Sequence, residues 1–324
     1  MDLSTFFNLL SIIGVLFLLM ATGFLARRVK IINEDSPKHL SKLIISIGQP
    51  MMIVAALIGK DFSAENLKAG LFYMLLGFLL HPLLALFGFL FAPLCSGKNQ
   101  RNLTVFAFIF NNCAFIGFPI LSAVFGDNGP FYGSFFVIGF HVYLWTLGMW
   151  ILSRGESHIR LTPKKAVFNY GTIPCLIGLV LYLLKGVIPV PAIFQFSATF
   201  SNYLGSLCLP ISVLVTGALL ASQDFKELLA DKRLYLFNAL KLIAVPALIC
   251  LIAKVVTLGM ADNYSIVLFC AVITAMPCAA TITMLAEMYD LDSPYAARMV
   301  GSSSILSLAT LPLIYFLADW IARL

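Results

Sequence analysis

The chain is short of charge. Asp, Glu, Lys and Arg make up 11% of its 324 residues, roughly half the share of an average soluble domain. Long polar stretches are missing too, which leaves no material for an appended soluble domain. Histidine is scarce and scattered, at His39, His81, His141 and His158. No His-Glu-x-x-His pair and no Gly-x-Ser-x-Gly elbow occurs, so a membrane enzyme is not expected, nor a bound metal or cofactor. The lack of a Gly-x-x-x-x-Gly-Lys-Ser/Thr loop argues against an ATP-driven pump. The seven cysteines are odd in number and lack metal-type spacing, so we expect small packing residues, not disulfides or a zinc site. No basic residue precedes the first apolar run, so that run is expected to be a retained span and not a cleaved signal peptide.

Apolar residues fill the space left by charge. They form 60% of the chain, with a mean hydropathy of +0.97, in runs of roughly 20 residues, each long enough for a bilayer core of about 30 Å. The expected fold is an all-α integral membrane protein with ten spans, at 6–25, 41–59, 67–92, 102–125, 131–152, 166–184, 200–222, 234–259, 263–286 and 295–318. With the N-terminus outside, only Lys60, Lys68, Lys185, Lys254 and Arg323 of the 21 basic residues fall on the outer side. The excess of the remainder inside predicts both termini outside a plasma or bacterial inner membrane. It also explains the net charge of +6 without a nucleic-acid partner.

Proline placement suggests a duplication. Pro50, Pro82 and Pro119 lie in spans 2, 3 and 4, and Pro210, Pro246 and Pro277 in spans 7, 8 and 9. The pairs Asp61-Phe62 and Asp224-Phe225, and the prolines Pro130 and Pro294, follow at nearly the same offset. We read residues 1–152 as a first five-helix repeat, 153–165 as a basic cytoplasmic linker and 166–324 as a second repeat. Five is odd, so the copies insert with opposite orientation, as in many secondary transporters.

Spans 4 and 9 differ from ordinary kinked helices. "NNCAFIGFP" brings Asn111, Asn112, Gly117 and Pro119 together, and "MPCAATIT" sets Pro277 and Cys278 ahead of Thr281. Both read as helices that stop at mid-depth and restart with proline in the first turn. Restarted helices present free amides and a positive dipole end, a small anion-friendly site in apolar surroundings. Pro82 and Pro246 read as kinks. His81 and His141 are the intramembrane titratable groups with two readings: each carries a coupled proton or sits neutral in a hydrogen bond. Gln49 is a cavity residue or a cap on the Pro50 kink. Lys241 is expected to snorkel towards the inner surface, the alternative being an anion attractor at the inner mouth. Glu287 and Asp290 are read as interface residues, and Ser302, Ser303 and Ser304 as packing residues.

These residues resemble the auxin efflux carrier family, over essentially the whole chain. The carriers of the resemblance are "NCAFIGFP", with Asn112, Gly117 and Pro119; "MPCAATITMLAEMYDLD", with Pro277, Ala286 and Tyr289; and "SSSILSLATLPL", with Pro312. The long hydrophilic loop of plant members is replaced by "SRGESHIRLTPKK", so regulation through it does not carry over. The resemblance implies a fold like that of bile-acid sodium symporters, a five-plus-five inverted repeat with crossing helices 4 and 9. It implies scaffold helices 1, 2, 6 and 7, core helices 3–5 and 8–10, and an elevator-type carrier or uniporter. The implied substrates are small organic anions, malate- or malonate-like acids or auxin-like acids. Asn111, Asn112, Gly117, Pro119, His141, Pro277, Cys278 and Thr281 become the substrate-binding candidates. Coupling to H+ or Na+, and a homodimer through the scaffold helices, stay open. The competing expectation is a membrane sensor that retains a transporter fold.

Overall fold

The computed structural model describes residues 3–156, 171–188, 190–223 and 231–324, with the side chains of 3–10, 13, 287 and 288 left aside. The Asp224-Phe225 pair, the side chain of Glu287 and most of the 153–165 linker lie outside the described residues.

The described residues are helical, apart from short connections. In chain order the helices are α1 (Leu3–Arg28), α2 (Ser36–Ile58), α3 (Ala64–Cys95), α4 (Arg101–Ile109), α5 (Gly117–Phe125), α6 (Asn128–Ser153) and α7 (Thr172–Lys185). They continue as α8 (Pro191–Gly205), α9 (Cys208–Ala221), α10 (Lys232–Val256), α11 (Asn263–Thr274), α12 (Thr281–Met288) and α13 (Ser293–Arg323). Among the described residues, six segments are long and apolar enough to cross a membrane: α2, α3, α6, α8 with α9, α10 and α13. Two shorter apolar helices are α7 and α11. The seventh expected span begins earlier than the sequence suggested, at Pro191 instead of 200.

Local chemistry sets the helix starts. Ser63 Oγ accepts from the Asn66 amide at the head of α3, and Asp292 Oδ1 accepts from the Tyr295 amide at the head of α13. Asp231 caps α10 in the same way through the Arg233 amide. Each cap satisfies an amide that the first turn leaves unpaired.

Lipid explains the surface. On α3, Leu71, Leu75, Leu79, Leu86 and Leu90 are exposed, while Gly70, Tyr73, Gly77, His81 and Leu84 are buried. In water such a helix would hide its leucines; in a bilayer both faces are content. The seven cysteines are free and buried, as packing residues should be.

Helix pairing follows a simple pattern. α1 lies along α9, and α2 packs against α7 and α8. α3 packs on α4 and α6; α10, α11 and α13 pack on one another. The α1–α9 contact is backbone to backbone. A Cβ on Gly23 would collide with the Leu214 carbonyl oxygen, and one on Gly217 with that of Met20. Close approach of this kind replaces the hydrophobic driving force that lipid removes.

The internal prolines do not act alike. Pro82 sits inside a continuous α3. Pro50 and Pro246 instead each follow a wide π-helical turn, Ile44–Gly48 in α2 and Leu240–Ala244 in α10. One wide turn absorbs the missing donor and rotates everything before it relative to everything after.

Candidate functional site

The two expected helix breaks are present, and they meet. The chain between α4 and α5 pairs with the chain between α11 and α12 as a single antiparallel bridge, Asn111 opposite Cys278. The Asn112 amide donates to the Pro277 carbonyl at 2.8 Å, and the Ala279 amide to the Phe110 carbonyl at 3.0 Å. Backbone that helices would have satisfied internally is thus satisfied across the break, as an apolar interior demands.

Side chains complete the arrangement. Asn111 Nδ2 donates to the Ile273 and Thr274 carbonyls at 3.1 and 3.4 Å, near the C-terminal end of α11. Ser303 Oγ of α13 accepts from the Cys278 amide at 3.1 Å. The serine expected only to pack is therefore a backbone cap.

Lys241 is the principal correction. It does not snorkel: its side chain is fully buried. Its ammonium donates to the Phe108 carbonyl at 2.8 Å and to Asn111 Oδ1. The π-helical turn Leu240–Ala244 carries it, which directs the lysine inward instead of along the helix towards water. Phe108 lies in the last turn of α4, so the ammonium sits at the negative end of that half-helix. Among the described residues no carboxylate pairs with it. The charge is held by carbonyl dipoles alone, a costly placement for a structural lysine.

Several amides of the first break stay free. Gly117 donates to the Asn112 carbonyl at 3.0 Å and Phe118 to Ala114, but those of Ala114, Phe115 and Ile116 find no acceptor among the described residues. The Ala280 amide of the second break is in the same state. Asn112 is buried, yet its carboxamide has no hydrogen-bond partner among the described residues. It is the uncommitted polar side chain of the pair, since Asn111 spends both ends on the fold.

The remaining candidates spread around this centre. Cys278 lies in the bridge. Pro119 is the third residue of α5, in the first turn as expected. Pro277 departs from expectation: it lies beside the bridge, four residues before α12 opens at Thr281. His81 Nδ1 donates to the Gly77 carbonyl of its own helix, 2.6 Å away. Its ring is enclosed by Phe110, Phe136, Phe140 and Tyr143. His141 is turned from the breaks towards α2, its Nε2 lying 3.3 Å from Gln49 Nε2. Gln49 is thus a partner of His141 and not a cap for Pro50. Among the described residues no cluster of His, Cys, Asp and Glu could hold a metal ion.

Apolar spans, two half-helices meeting within them and a buried cation form a polar centre inside a membrane protein. The comparisons agree. The membrane transport protein family matches over residues 10–162 and 157–315, and the chain belongs to this family of auxin efflux carriers. An uncharacterized transporter of Methanothermobacter thermautotrophicus is 26% identical over 311 residues, covering 94% of this chain and 96% of its own. The protein is a multi-pass membrane transporter.

Proposed function

We propose that the protein is a secondary carrier of small organic anions that works by an elevator motion. The observation behind this reading is the buried Lys241 ammonium, joined to both breaks through Asn111 and lacking a carboxylate partner among the described residues. A substrate carboxylate would supply the missing negative charge. The free amides of Ala114, Phe115 and Ile116 and the Asn112 carboxamide would hold it, with two half-helix N-termini adding their dipoles. Malate- and malonate-like acids and indole acids are the classes to try first.

The motion would carry α3–α6 and α10–α13 past α1, α2 and α7–α9. What supports it is pairing: the first set packs largely within itself, and the α1–α9 contact has no slack for sliding. The ten-span, five-plus-five inverted repeat with crossing breaks fits the same picture. So does the orientation with both termini outside.

The test is uptake into proteoliposomes of labelled malate, malonate and an indole acid, with pH, sodium and voltage gradients imposed one at a time. Saturable uptake of at least one acid, with its apparent affinity weakened in Asn112→Ala, is the expected result. No uptake of any acid by folded, inserted protein would overturn the anion assignment.

A further inference from the structure

One helix of the proposed moving set, α6, runs along α2 and α7 of the proposed fixed set. That seam is closed at one end in a graded way. Lys60, just past the end of α2, donates from Nζ to Oδ1 of Asn128, the first residue of α6. The next turns of α6 present Phe131 and Phe135 to Tyr182 of α7, with ring centroids 5.4 and 6.2 Å apart. Phe62 closes the ring of aromatics, 5.4 Å from Tyr182. Phe131, Phe135 and Tyr182 are all buried. Deeper still, His141 meets Gln49, and Gly171 lies directly against His141 Nδ1. At 1.5 Å per residue, Asn128 and His141 are about 20 Å apart along α6.

The two sides of this seam are built differently. Lys185, the last residue of α7, donates to the Ile58 and Lys60 carbonyls and to Asp61 Oδ1. Its three bonds pin the Lys60 segment to α7, so one half of the contact is anchored within the fixed set. The other half is a single carboxamide oxygen on α6. An aspartate there would make a full ion pair; an asparagine makes one charge-assisted hydrogen bond that can be given up.

We propose that this seam is the gate at the Lys60 end of the transport path, with Lys60–Asn128 as its latch and Phe62, Phe131, Phe135 and Tyr182 as its plug. The proposal rests on the carrier reading, because only relative motion of α6 gives a gate something to do. In the structure the gate is shut. By the distribution of basic residues this end faces outside, so the site is closed to that side.

Accessibility tests the gate without needing transport. Tyr182→Cys is placed in the plug, and right-side-out vesicles are treated with a membrane-impermeant maleimide; the native cysteines are buried and set the baseline. Labelling is expected to be slow, to rise at least fivefold when Lys60→Ala is added, and to return to the slow rate with Lys60→Arg. Phe131→Cys repeats the measurement from the α6 side and covers a Tyr182 variant that fails to fold. Fast labelling with Lys60 and Asn128 intact, or labelling indifferent to Lys60→Ala, would overturn the proposal. Failure of every acid in the uptake assay alongside latch-dependent labelling would refute the anion reading and leave the gate standing.

Discussion

The two helix breaks meet as equals in the backbone but not in their side chains. The break between α4 and α5 brings Asn111 and Asn112, and it receives Lys241. The break between α11 and α12 has no polar side chain in the bridge beyond Cys278; Asn111 satisfies the Ile273 carbonyl from one side and Ser303 the Cys278 amide from the other. One break therefore supplies chemistry while the other is held in place. If the chain descends from a duplicated unit, its copies have divided these duties.

Removing the cation should have the largest effect. Lys241→Met is expected to lower uptake of a labelled acid at least a hundredfold with only a modest fall in the thermal unfolding midpoint. The substitution relieves the cost of burying an unpaired charge, which offsets part of the about 1–3 kcal/mol lost when the Phe108 carbonyl and Asn111 Oδ1 are left without that donor. A large fall in the midpoint with uptake intact would make the lysine a strut. Asn111→Ala should do the reverse of Lys241→Met: it strips the ammonium of one acceptor and the α11 end of its cap. A loss of about 2–3 kcal/mol, the scale of a hydrogen bond to a charged group, is expected in detergent unfolding.

The neighbour of Asn111 provides the sharpest contrast. Asn112→Ala should weaken apparent substrate affinity about tenfold with a midpoint close to wild type, because its carboxamide serves nothing in the fold. Equal destabilisation by the two asparagine variants would erase the distinction drawn between them. On the second break, Ser303→Ala should cost about 0.6 kcal/mol, a typical interhelical hydrogen bond in a membrane, read as a small drop in midpoint.

The smallest effect lies outside the membrane. The Lys185 ammonium beside Asp61 holds its carboxyl below the ordinary value of 3.8. A lowered folded value stabilises above the unfolded one and is lost as pH falls through it. The pair is almost fully exposed on the Asp61 side, so Asp61→Asn should lower stability by about a few tenths of a kcal/mol at most near neutral pH. The difference from wild type should vanish in acid.

Much of this comparison can be read from the chain. Asparagine, glycine and proline within nine residues of an apolar run mark a helix that cannot continue, and α4 ends where they begin. What stayed hidden was the depth of Lys241. Counted along a regular helix it lies close enough to the inner surface to reach water. The wide turn before Pro246 changes its direction, and only a proline five residues on hints at that turn. Ser303 was equally concealed: three consecutive serines on a helix do not say which one faces a broken neighbour. The family likeness puts His141 near a substrate, and it does not reveal that the ring meets Gln49 of α2. Partners from distant parts of the chain decide each of these, and a linear pattern does not name them.

The buried ammonium has an electrical consequence. In an elevator it would travel with α10. The empty carrier would then take a positive charge across the bilayer, and the carrier loaded with a monocarboxylate would take none. Membrane potential acts on a moving charge with about 2.3 kcal/mol per 100 mV. The return of the empty protein, and not the passage of its cargo, would be the step that voltage sets, and a dicarboxylate would reverse the sign of the loaded one.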